Sequence, residues 1–173
     1  MKLRHRVTCC ALSALILGAA TSVVWAGPQD VPFKARVQTQ EVLDNDPVRC
    51  PGSNSRGMTT GTGTASHMGA VSLLATDCPL TADFVNFFVS NGRLTLTAAN
   101  GDQLSAGYWG TLLPLPGASL PLYVLEGEFR VTGGTGRFSG ARGDGSLRGS
   151  QDLTTLKGVF EVNGRLTYAK HKP

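Results

Sequence analysis

The side chains singled out for proton transfer are one histidine and two carboxylates. His67 is the only histidine between His5 and His171, and its near-neutral pKa suits a general acid or base lining a cavity. The same residue, placed beside Gly69, equally suits a structural hydrogen bond to a neighbouring loop. No serine or cysteine nucleophile with a suitable partner accompanies it, which favours the structural role. Glu126 and Glu128 set two carboxylates on one face of a strand. Inside a cavity such a pair does acid and base work. They share their face with Arg130, however, and charges spaced by two are what a solvated strand face carries.

Two further groups bear on chemistry. Gly133-Gly134-Thr135-Gly136 offers consecutive backbone amides of the kind that cradle anions. It lacks the Gly-Lys-Ser/Thr ending and any following strand-helix unit, so it reads as a structural corner. Cys50 and Cys78 have no close-spaced companions that would complete a metal site, and as an even pair they read as one disulfide. Neither a metal nor another cofactor is expected. Aromatic mass gathers at Phe84, Phe87, Phe88, Tyr108 and Trp109, with Phe129 further along. Packing is the default for such residues. In a barrel, Phe87, Tyr108, Trp109 and Phe129 would also wall a ligand cavity.

The elements that must position these residues are strands. Phe33, Ala35 and Val37 alternate with Lys34, Arg36 and Gln38, a half-buried strand running to Leu43. Asp44 to Met58 carries two prolines, two glycines and several turn-forming residues and reads as a long loop tethered by Cys50. Thr59 to Ala75 holds two strands meeting near Gly69. Phe84–Ser90, Arg93–Ala98 and Gln103–Leu113 follow, joined by Asn91-Gly92 and Asn100-Gly101-Asp102, which predicts an antiparallel meander of three strands. Tyr123–Thr132 alternates an apolar face with a charged one. Gly143–Ser150 and Lys157–Tyr168 complete the set, with Asn163-Gly164 marking either a further hairpin or a bulge. No helical period is present beyond one short turn at Thr135–Ser139. About eight short strands predict an all-β, antiparallel closed barrel of calycin-like form, since closure removes the exposed edges.

Length and charge narrow the partners. Lys2, Arg4 and Arg6 precede a mostly apolar run from Val7 to Val24, and Val24-Trp25-Ala26 suits a signal peptidase. A single membrane span competes, but the cleavage pattern and the lack of a second hydrophobic run argue for removal. Residues 1–26 are therefore expected to be a signal peptide and residues 27–173 one domain, secreted or periplasmic. Three of the 16 basic residues and none of the 12 acidic ones leave with that segment, so the remainder carries a net charge of +1. Without a basic stripe interleaved with aromatics, nucleic acid is not an expected partner.

The segment from Phe129 to Gly143, Phe-Arg-Val-Thr-Gly-Gly-Thr-Gly-Arg-Phe-Ser-Gly-Ala-Arg-Gly, resembles the strand-corner-strand signature of the allene oxide cyclase barrel-like superfamily. That group joins allene oxide cyclases, dirigent proteins and exported bacterial proteins. Gly63–Gly69, Leu96–Leu104 and Gly107–Thr111 also look like its recurring segments, and roughly two thirds of the mature chain is compatible with it. The resemblance implies an eight-stranded antiparallel barrel able to hold an apolar molecule. It carries no catalytic residue over, because those of the family's enzymes lie outside the matched motifs.

Three functions remain in play. The first is reversible binding of a small apolar or aromatic molecule. The second is an isomerase or cyclase acting on an apolar substrate in the barrel, and the third a filled barrel serving as a structural or protein-interaction module. An outer-membrane barrel fits the strand count but not the scarcity of interface aromatics, so no stable membrane insertion is expected. A cavity with an acid or base at its base would favour the enzyme, a plain apolar cavity the carrier. The sequence leaves enzyme status, ligand and oligomeric state open.

Overall fold

The computed structural model describes residues 29–53, 55–117 and 121–169; the expected signal segment and the tail from Lys170 lie outside them. Eight strands run in chain order: β1 (Gln29–Asp44), β2 (Arg56–Ala65), β3 (Gly69–Leu80), β4 (Phe87–Ala98), β5 (Gln103–Pro114), β6 (Leu122–Gly134), β7 (Arg142–Asp152) and β8 (Lys157–Tyr168). Each pairs antiparallel with its neighbours in sequence, and β1 pairs with β8, so the sheet closes into a barrel. The fold class expected from the alternation is the one observed. One 3-10 turn, Gly136–Phe138, sits in the glycine-rich corner and buries Phe138 completely.

Inward positions are set by parity. On β1 the inward set is Phe33, Ala35 and Val37, on β3 Val71, Leu73 and Ala75, and on β5 Leu104, Ala106 and Tyr108, all buried. β4 breaks the rule. Its inward residues are odd-numbered at Phe87 and Val89 but even-numbered at Leu94, Leu96 and Ala98. A single extra residue reconciles the two halves: the register slips by one against both β3 and β5 around Asn91, which takes a left-handed φ of 50°.

Asn91-Gly92 is therefore a bulge within one strand and not the hairpin expected from the sequence. Tolerance of positive φ serves either use, and parity alone distinguishes them. Asn163-Gly164 is neither hairpin nor bulge. Its register is unbroken on both sides, and a Cβ on the facing Gly145 would press to 2.9 Å from the Phe129 ring, so glycine there makes room for core aromatics.

The interior is uneven along the barrel axis. Toward the end closed by the Phe138 corner, side chains fill the lumen. Phe138 stacks on Tyr168 with ring centroids 5.1 Å apart, and Phe33 meets Phe129 at 6.5 Å. The opposite end, where β1, β3, β5 and β7 finish, stays partly hollow.

A candidate acid–base site in the open end of the barrel

A cavity of about 230 Å³ occupies that hollow end. Its walls are largely apolar, with Phe87, Val89, Leu112, Leu125, Leu156 and Phe160 among them. Tyr108 lies where the cavity meets the filled core, its ring set edge-on against Phe160 at 5.9 Å. Gly92, directly across the β4–β5 ladder, makes that ring placement possible, because a Cβ there would come within 2.7 Å of Tyr108 Cγ.

Two carboxylates project into this apolar space. Asp77 follows Val71, Leu73 and Ala75 at the inward parity of β3; Glu41 follows Val37 and Thr39 at the inward parity of β1. Asp77 is 8% exposed and is the only buried polar or charged residue among the described residues. Tyr108 donates its hydroxyl proton to Asp77 Oδ2 at 2.5 Å, and Gln151 Nε2 donates to Glu41 Oε2. The carboxylates converge on the Cα of Gly57 in β2: a Cβ there would overlap Glu41 Oε1 and stand 2.8 Å from Asp77 Oδ1. Gly57 gives the pair its room.

This environment changes their protonation. Burial raises Asp77 to about 7, helped by the nearby Glu41 charge and opposed by the Tyr108 hydrogen bond and by Arg49. Glu41 is also raised by burial, against the lowering effect of its Gln151 hydrogen bond. Burial and the adjacent Asp77 push Tyr108 well above its usual value, so it remains a donor. Asp77 thus changes charge near neutral pH, as a general acid or base requires.

Of the aromatics expected to wall a cavity, Phe87 and Tyr108 border it. Phe129 is buried in the filled section, and Trp109 is 43% exposed on the outer face. His67 sits at the far end in the β2–β3 turn, exposed, with a φ of 64° and its Nε2 donating to the Pro32 carbonyl at 3.0 Å. Glu126 and Glu128 are exposed on the outer face of β6, Glu126 paired with Arg148 at 3.2 Å. Cys50 and Cys78 form the expected disulfide just behind Asp77. Among the described residues no cluster of His, Cys, Asp or Glu could hold a metal ion.

Sequence reasoning missed Asp77, Glu41 and Gln151. The signal that could have found them was parity, since each continues an inward-facing series.

Among solved structures, the pterocarpan synthase dirigent proteins GePTS1 and PsPTS1 superpose on the barrel with TM-scores of 0.55 and 0.52, both at 14% sequence identity. The match covers 85% of this chain and 89% and 99% of theirs. The likeness is one of fold. It agrees with the small antiparallel barrel that the resemblance of the corner implied. No protein-family model matches the chain, and no curated protein is similar to it in sequence.

Proposed function

We propose that the protein takes a small, neutral apolar or aromatic molecule into the open end of the barrel and transforms it by proton transfer, as an isomerase, cyclase or dehydrating enzyme. The observation that carries this reading is Asp77: a buried carboxyl group with a pKa raised to about 7, oriented by Tyr108 and faced by Glu41, in a largely apolar cavity. A plain carrier gains nothing from buried carboxylates that cost stability to desolvate. An acid–base enzyme requires them. In this scheme protonated Asp77 donates to a leaving or carbonyl oxygen, and Glu41 accepts a proton from the substrate. The apolar wall fixes the reacting conformer. The fold shared with proteins named pterocarpan synthase is compatible with such a role.

The outer face of β1 presents Lys34, Arg36, Gln38 and Gln40, all exposed, which does not suit a lipid-facing barrel wall. Among the described residues no helix is long and apolar enough to cross a membrane. Export with cleavage near Ala26 belongs to the same proposal, supported by the disulfide.

The test separates binding from turnover. Neutral aromatic alcohols and enones incubated with the protein in D₂O, followed by mass spectrometry, should show water loss, cyclised isomers or deuterium uptake for some of them. Asp77→Asn should reduce that turnover by roughly 10²–10⁴-fold while displacement of an apolar fluorescent probe persists. Probe binding with no Asp77-dependent turnover would leave the carrier reading. Absence of probe binding would remove both.

A further inference from the structure

The loop between β1 and β2 runs outside the barrel wall, yet it grips the wall at the point where Asp77 enters the lumen. Asp77 of β3 faces the extra residue of the β4 bulge, since the register passes from Thr76↔Arg93 to Cys78↔Ser90 with Asn91 and Gly92 between. Arg49 spans that irregularity. Its Nη2 donates to Thr76 Oγ1 at 2.7 Å and to the Asn91 carbonyl at 3.1 Å, while Asn91 Nδ2 donates back to the Arg49 carbonyl at 3.1 Å. The next residue, Cys50, is bonded to Cys78, which immediately follows Asp77. Loop and wall are joined on both sides of one carboxylate.

We propose that Arg49 is a positioning residue for Asp77: from outside the barrel it ties Thr76 to Asn91 across the bulge and holds a positive charge behind the carboxylate, with the Cys50–Cys78 bond as its anchor. The assignment rests on the acid–base reading of the cavity, which it deepens.

Arg49 Nε is buried and has no hydrogen-bond partner among the described residues. The guanidinium is held by Nη2 alone, and leaving the buried Nε donor unsatisfied costs stability. The benefit lies in the field it exerts on the far side of the wall. The titratable or charged groups acting on Asp77 are Glu41 on β1, Tyr108 on β5 and Arg49. The neighbouring strands β2 and β4 set Gly57, Asn91 and Gly92 against it, none of which titrates; Arg56 and Arg93 of those strands lie at the outward parity, Arg56 paired with Asp44 and Asp46. Among the described residues, Arg49 is thus the one cation offsetting burial and the Glu41 charge at Asp77.

The experiment is a titration of the Asp77 side-chain carboxyl carbon by NMR in the folded, substrate-free protein. Arg49→Gln should move the Asp77 midpoint upward by about half a unit or more, the direction expected when a nearby positive charge is lost. Arg49→Lys, which keeps the charge, should recover much of that shift. Thr76→Val, which removes the acceptor of the 2.7 Å bond on the outer side, should move the midpoint the same way by less, and it decides the matter if Arg49→Gln does not fold.

A merely structural Arg49 would lower the melting temperature and leave the midpoint where it is in every variant, and that result would overturn the proposal. Because no substrate is involved, the titration stands apart from the turnover test. An unchanged midpoint in an active protein removes only the role of Arg49, and a shifted midpoint in an inactive one removes only the proton-transfer reading.

Discussion

At the scale of single residues, Asp77 links stability to pH with a definite sign. Folding raises it from 3.8 to about 7, so between those values the native state binds a proton that the unfolded chain releases. Its contribution is fully present below pH 3.8 and is lost as pH rises through about 7. Glu41, also raised, acts in the same direction. At 1.36 kcal/mol per unit, the Asp77 loss is on the order of 4 kcal/mol, an upper figure. Asp77→Asn removes the charge yet leaves an amide oxygen to accept the Tyr108 hydroxyl. We expect urea denaturation at pH 4.5 and pH 8 to show a marked fall in wild-type stability and a much flatter response in Asp77→Asn, the variant being the more stable at pH 8. Parallel pH dependence of the two proteins would show that Asp77 does not titrate in this range. Gain of stability with loss of activity is the usual mark of a functional group held at a cost.

Elements are where the sequence spoke most clearly and where it misled. Alternation located the strands because each buries one face, and the period of two survives in nearly every one of them. It failed at β4, where Phe87 and Val89 lie on one parity and Leu94 and Leu96 on the other. Read as a break, that switch gives a hairpin; read as a slip, it gives a bulge. His67 and the Glu126–Glu128 pair drew attention by residue type, whereas Asp77 and Glu41 are marked only by position in an inward series. A polar residue in an apolar series is the more informative observation. The bulge also gives the disulfide its place, since Cys78 lies beside it under the loop. The cross-link closes a sequence separation of 28, which in the chain-entropy model is worth about 3.5 kcal/mol at the upper end. Cys50→Ser or Cys78→Ser should each lower the melting temperature by roughly 5–10 °C, and the double variant by little more than either alone. Strictly additive losses in calorimetry would mean that the two sulfurs stabilise the fold independently.

The molecule as a whole divides its interior between stability and chemistry. Closure of β1 on β8 leaves no sheet edge among the described strands, and the filled half around Phe138, Leu104, Leu147 and Leu166, each no more than 1% exposed, supplies a packed core. The open half can then remain hollow and hold desolvated carboxylates. This division predicts unequal responses to the same chemical change. Phe138→Ala empties a site sealed on all sides and should cost about 3–5 kcal/mol. Phe87→Ala removes a ring that is only partly buried at the cavity wall, against Tyr123 at 6.0 Å. Less of its surface leaves water on folding, and its loss enlarges an existing space instead of creating a new one. We therefore expect Phe87→Ala to cost less than half as much in equilibrium denaturation and to change the affinity of an apolar probe several-fold. Phe138→Ala should leave that affinity nearly unaltered wherever the variant is folded. Equal destabilisation by both, with probe affinity indifferent to Phe87, would show that the two halves of the barrel are not divided in this way.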